Sequence, residues 1–261
     1  MRNNATLIQS AQLEREVIID VYISARMEPE SPFHLLLVND GQDLRTMNFE
    51  AILSQFEDQN QLPPLIVVGI HCGDDRMNEY GVAGIPDYKG RGNKADRYEK
   101  FVMQEMLPAL NEQFELRSAI DIAFAGFSLG ALSAFDIAWN NPPTFSAVGV
   151  FSGSLWWRSK DQHDKTYVPA RDRIIHNKVH NSEKREGMRF FFECGELDEG
   201  EDRNRNGVID SIDDTIDLMR ELLRKGYLEG REMFYCQLPD GKHDVPSWAK
   251  AWPAFLKWKY L

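Results

Sequence analysis

Ser128 lies in Gly126-Phe127-Ser128-Leu129-Gly130, between two apolar stretches. Residues 120–125 predict a short buried strand and 129–139 predict a helix. A serine in a Gly-x-Ser-x-Gly turn at such a junction is held in strained backbone that aims its hydroxyl out of the sheet edge as a nucleophile. Side chains at Gly126 and Gly130 would collide with the neighbouring strand or helix. A hydroxyl attacks poorly until a base takes its proton, so a carboxylate and a histidine should follow it along the chain. Of the six histidines, His243 is the best placed. It follows the apolar run 231–237, in Asp240-Gly241-Lys242-His243-Asp244, and precedes a terminal helix. His34 and His71 come before the serine, whereas His163, His176 and His180 fall in polar stretches.

For the orienting acid, the run 189–194 ends in Gly195-Glu196-Leu197-Asp198-Glu199. Asp198 leads, with Glu196 and Glu199 as alternatives. The oxyanion of an acyl-transfer intermediate needs two N–H donors. One is Leu129, directly after the nucleophile. The other is Gln42, in Asn39-Asp40-Gly41-Gln42, where Gly41 lets the next N–H turn into the site; the same residues also read as an Asp-Gly hairpin turn. The chemistry these residues describe is attack on an ester through an acyl-serine.

The elements that must position them alternate. Strands are predicted over 16–24, 33–38, 65–70, 120–125, 146–151, 188–194 and 231–237. Continuous apolar runs such as Leu35-Leu36-Leu37-Val38 suit parallel strands covered on both faces. Helical stripes run through Tyr98, Phe101, Val102, Met106 and Leu110, and through Ile212, Ile216, Met219, Leu222 and Leu223, with Gly226 as a stop. This is an α/β pattern with a mostly parallel central sheet and helices on both faces. The loops 71–93 and 156–167 follow predicted strands and are expected to wall the site.

At 261 residues and 43% hydrophobic, the chain fits a single domain, 1–261, with a sizeable core. A net charge of −11 argues against nucleic acid or an anionic membrane as partner and leaves a small-molecule ester. The polar N-terminus and the lack of a long apolar run point to a cytoplasmic protein. Cys72, Cys194 and Cys236 are odd in number and lack metal-ligand spacing, so reduced thiols and no organic cofactor are expected. The oligomeric state is left open.

With these residues in place, the chain from about 15 to 258 resembles the esterase family that holds enterochelin-type siderophore esterases, esterase D-like enzymes, feruloyl esterases and mycolyltransferases. The resemblance is carried by Leu36-Leu37-Val38-Asn39-Asp40-Gly41-Gln42, the Ser128 turn, Phe151-Ser152-Gly153-Ser154-Leu155-Trp156-Trp157 and Gly241-Lys242-His243-Asp244. It implies an α/β-hydrolase fold, serine carboxylic ester hydrolysis on aromatic or siderophore-type esters, and Gln42 as the second oxyanion donor. It also implies Trp156 and Trp157 as an aromatic acyl pocket, and basic residues for an anionic substrate, with Arg76, Arg91 and Arg158 as candidates. Ala131 stands where many members have glycine. The rival functions are acyl transfer to an alcohol acceptor and a non-catalytic binding module on a hydrolase fold.

One further motif is not required by the triad. Residues 202–213, Asp-Arg-Asn-Arg-Asn-Gly-Val-Ile-Asp-Ser-Ile-Asp, match the twelve-residue EF-hand or dockerin-like calcium loop, with glycine at position 6. Asp202, Asn204, Asn206 and Asp213 would bind Ca2+ through side chains, Val208 through its carbonyl and Asp210 through water. The expected ion is structural, pinning the segment that carries Asp198.

Overall fold

The computed structural model describes residues 2–28, 31–114 and 118–261. One sheet contains β1 (Arg2–Ser10), β2 (Arg15–Ile23), β3 (Phe33–Asn39), β4 (Leu65–Ile70), β5 (Ala119–Phe127), β6 (Ala147–Phe151), β7 (Arg189–Leu197) and β8 (Met233–Lys242). Their order is β1-β2-β4-β3-β5-β6-β7-β8. From β4 to β8 every neighbour is parallel, while β2 runs antiparallel to both β1 and β4. This is the α/β-hydrolase arrangement expected from the alternating pattern.

The helices are α1 (Gln42–Thr46), α2 (Phe49–Asp58), α3 (Arg76–Glu79), α4 (Ala95–Lys100), α5 (Leu107–Phe114), α6 (Leu129–Asn140), α7 (Pro169–Asp172), α8 (Ile174–His180), α9 (Asp210–Arg224) and α10 (Val245–Tyr260). A π-helical turn, Phe101–Met106, joins α4 to α5. Side chains alternate through the sheet into two apolar layers. Phe124, Phe190 and Phe192 pack with α6 and α9 on one face. Ala123, Ala125 and Phe191 pack beneath Trp252 and Phe255 of α10 on the other. The small alanines of β5 leave room for those rings, which fixes α10, and the loop before it, close to the sheet.

Three elements differ from the sequence reading. Strand β1 precedes the first predicted strand; its Arg-Asn-Asn-Ala-Thr stretch carries little apolar signal because an edge strand needs only a partner, here β2 in full register. Strand β8 runs on through Pro239-Asp240-Gly241 to Lys242, with an irregularity between Gly195 and Leu197 in its partner β7. Helix α8 lies where the sequence looked polar, and it buries Ile174, Ile175 and Val179. Among the described residues, no helix is long and apolar enough to cross a membrane.

Candidate active site

The turn from β5 to α6 holds Ser128 at φ +54°, ψ −120°, a strained conformation for a residue with a Cβ. Its N–H bonds the Phe151 carbonyl of β6 at 2.9 Å, fixing the turn against the sheet. Glycines flank it because space runs out: a Cβ on Gly126 would lie 2.5 Å from the Gly130 carbonyl carbon. One on Gly130 would lie 2.5 Å from the Asp40 carboxylate. The Ser128 Oγ emerges 2.8 Å from His243 Nε2 and 3.3 Å from Ser154 Oγ. Ser154, of the Ser152-Gly153-Ser154 run, carries no role that the sequence pattern alone points to. Its N–H donates to the Ser128 carbonyl at 3.0 Å, so it braces the elbow.

His243 arrives on the turn between β8 and α10. Asp244 caps that helix, accepting the Ser247 N–H at 3.0 Å, and Trp248 sets its ring edge-on to the imidazole, with centroids 5.3 Å apart. His243 is reachable from solvent, yet desolvation of its ring pulls its pKa below the ordinary histidine value. Asp198 opposes that shift, Arg76 reinforces it, and Asp244 opposes it weakly. The lowered pKa favours the neutral imidazole, the form a base needs.

Asp198 sits at the end of β7, within electrostatic reach of His243. Both its oxygens are buried, and neither meets a donor at hydrogen-bonding geometry among the described residues. Burial raises its pKa, against the influence of the nearby Ser152 hydroxyl, the Gly195 backbone and His243. The competing acids face elsewhere. Glu196 is exposed and accepts the Gln237 amide at 2.7 Å. Glu199 is pushed up to about 7 by burial, with its backbone bond to Ser211 opposing, and it lines the cavity beside Trp156.

The two residues expected to donate to the oxyanion both begin helices. Leu129 opens α6 and Gln42 opens α1, positions whose N–H groups have no carbonyl four residues back. Gly41 lets the first turn of α1 press against β4: a Cβ there would lie 2.2 Å from the Gly69 carbonyl carbon. The Gln42 side chain is tied to Cys72, accepting its N–H at 3.2 Å.

Arg76 has a partner the sequence did not suggest. Its Nε and Nη2 each donate to one oxygen of Asp40 at 2.7 Å. Asp40 is 2% exposed and holds φ +58°. The guanidinium also lies 5.1 Å over the Tyr80 ring. Arg76 thus joins the 71–93 segment to the 39–42 loop instead of standing free in the substrate space.

The two tryptophans separate as well. Trp157 is fully buried beneath Gly81 and Gly92, so it packs the 71–93 segment and does not line an open pocket. Trp156 is partly exposed between Arg91 and Arg158, whose guanidinium carbons lie 5.0 and 5.8 Å from its ring. It lines a cavity of about 330 Å3 with Tyr88, Lys89, Arg91, Arg158 and Glu199.

In the 202–213 loop, the Asp202 carboxylate accepts the N–H groups of Asn206 and Gly207 at 3.1 and 2.9 Å. The Asn204 and Asn206 amides converge on Asp213 at 2.6 and 2.9 Å. Arg205 and Gly207 both take positive φ. Asn204, Asn206 and Asp213 are thereby brought together, while Asp202 holds the backbone of the turn. Asp210 does not join them: its carboxylate accepts the Arg203 N–H at 2.9 Å and faces that guanidinium, because it opens α9 beside a cation. Among the described residues, no group of three or more His, Cys, Asp or Glu is arranged to hold a metal; the loop's donors are mostly amides and a carbonyl.

The sequence matches the model of the family described as "Putative esterase" over residues 10–258. No curated protein sequence matches it. Among solved structures, it is similar to the enterobactin esterase FES from Shigella flexneri, in the presence of enterobactin (22% identity, TM-score 0.73, 98% of this chain and 58% of that one). It is also similar to an IroE-like serine hydrolase from Shewanella oneidensis (19%, TM-score 0.70, 98% and 79%). A third is the siderophore hydrolase EstB from Aspergillus nidulans (18%, TM-score 0.69, 98% and 95%). At these identities the likeness is one of fold, and the chain spans little more than half the length of the first of these proteins.

Proposed function

The chain belongs to this esterase family, and from that premise we propose that it is a serine carboxylic ester hydrolase working through an acyl-serine. The observation that carries the proposal is the 2.8 Å contact between Ser128 Oγ and His243 Nε2 at a strained elbow. In the reaction, His243 Nε2 takes the Ser128 proton as Oγ attacks the ester carbonyl carbon. The resulting oxyanion is held by the Leu129 and Gln42 N–H groups, and the Asp198 charge stabilises the imidazolium. Collapse breaks the C–O bond to the alcohol, which leaves with the proton from His243. Water, deprotonated by the same nitrogen, then releases the acid and restores Ser128.

The substrate class proposed is an aromatic, anionic ester of the siderophore type. Trp156, flanked by the Arg91 and Arg158 guanidinium groups, supports this. The loop 202–213 is proposed to hold a structural Ca2+ through Asp202, Asn204, Asn206, Asp213 and the Val208 carbonyl. The ion would offset the Asp202 and Asp213 charges and hold the start of α9 near Asp198; it takes no part in the chemistry.

The test is Ser128→Ala, assayed with p-nitrophenyl esters and a fluorophosphonate probe. Turnover and labelling should both vanish while circular dichroism is unchanged. Full activity in the alanine variant would remove Ser128 as the nucleophile.

A further inference from the structure

Behind the triad acid lies a second carboxyl group that the mechanism above does not use. Glu193 sits on β7, five residues before Asp198, and is 1% exposed. Among the described residues its Oε2 reaches one polar group, the Ser152 hydroxyl, at 3.4 Å. Its Oε1 is buried with no partner among the described residues, as are both oxygens of Asp198.

Ser152 is itself constrained. It is 2% exposed, holds φ +42°, donates its N–H to the Glu193 carbonyl at 2.9 Å, and accepts the Trp248 Nε1–H at 2.9 Å. Trp248 in turn sets its edge against His243. The titratable groups around Glu193 are Cys194 on its own strand, Asp198 just past that strand's end, and Tyr235 and Cys236 on β8, with His243 and Asp244 beyond Asp198. None of these faces it with a permanent positive charge.

Two buried carboxyl groups within electrostatic reach of each other, with no permanent cation facing Glu193 among the described residues, cannot both be ionised cheaply. Asp198 has the His243 imidazolium to balance it during turnover; Glu193 has only a hydroxyl. We propose that Glu193 stays protonated at neutral pH and acts as a positioning residue, its neutral carboxyl backing Ser152 and leaving Asp198 as the single negative charge behind His243. Burial first, and the Asp198 charge second, push Glu193 up to about 8, with Ser152 opposing. The inference rests on the esterase mechanism above.

The experiment compares wild type with Glu193→Gln, which copies a neutral carboxyl in shape. A carboxyl whose pKa is higher folded than unfolded costs stability as pH rises from the unfolded value towards the folded one. The Tm of Glu193→Gln relative to wild type should therefore climb between about pH 5 and pH 8 and flatten above that. The acid-limb midpoint of kcat/KM should stay at the wild-type pH, because no charge has been removed. Infrared difference spectra at pH 7 should show a protonated carboxyl band in wild type that the variant lacks. A Tm difference independent of pH, an acid limb lowered by roughly one unit, or no such band would each mean Glu193 is ionised and overturn the proposal. Fluorophosphonate labelling of both proteins reports separately on Ser128, so a failure of the esterase assignment would be recognised as such.

Discussion

Replacing Arg76 with alanine separates two roles that its position allows. The guanidinium donates two 2.7 Å bonds to an Asp40 side chain that is 2% exposed, while its own side chain is 28% exposed. Removing one partner of a buried ion pair costs about 3–5 kcal/mol, mostly from the charge left behind. Water can enter where the exposed side of Arg76 had been, so the cost should fall near the lower end, about 3 kcal/mol. The effect should reach the chemistry because Asp40 leads directly into Gly41 and Gln42. If the orphaned carboxylate turns towards water, the Gln42 N–H moves with it, and loss of one oxyanion donor lowers kcat by about 10²–10³-fold. Arg76 also helps keep the His243 pKa low, so its removal should move the acid limb of kcat/KM to higher pH. Lysine cannot reproduce the two-pronged bond and should rescue only part of the loss. Adding Asp40→Asn removes the stranded charge, and the double variant should regain stability. Urea unfolding and p-nitrophenyl ester kinetics measure all of this. If Arg76→Ala keeps kcat within about threefold and raises only KM, the clamp is unimportant and Arg76 contacts substrate after all.

Wild-type kcat/KM should rise on an acid limb whose midpoint lies below the ordinary histidine value of about 6.5, because desolvation favours neutral His243; a midpoint above that value would contradict the assignment. Trp157→Ala should cost about 3–5 kcal/mol in urea unfolding, since the ring is fully buried beneath the 71–93 segment. Trp156→Ala should instead leave stability nearly unchanged and raise KM for aromatic more than for aliphatic esters. Calcium at a hundred times its Kd should add about 2.7 kcal/mol of stability, seen as a higher Tm that EDTA reverses and Asp202→Ala abolishes. Identical melting with and without the ion would leave the loop as an Asn/Gly turn.

The sequence by itself determined the fold class and the chemistry of its candidate residues. A Gly-x-Ser-x-Gly run between strand-like and helix-like stretches has few uses, and Asp198 and His243 follow it past the ends of later apolar runs. These signals are local: they depend on residue type, spacing and order. The edge strand β1 was not legible, because its polar residues form a strand only once β2 offers a partner. Nor was the difference between Trp156 and Trp157, adjacent in sequence and of one type. Burial is set by Gly81 and Gly92, more than sixty residues away, pressing on one ring and leaving its neighbour to Arg91 and Arg158. The partner of Arg76 and the isolation of Glu193 belong to the same category. Whether a charged side chain faces substrate, a buried counter-charge or nothing at all depends on what the sheet and loops bring within a few ångströms of it, and only the tertiary structure decides that.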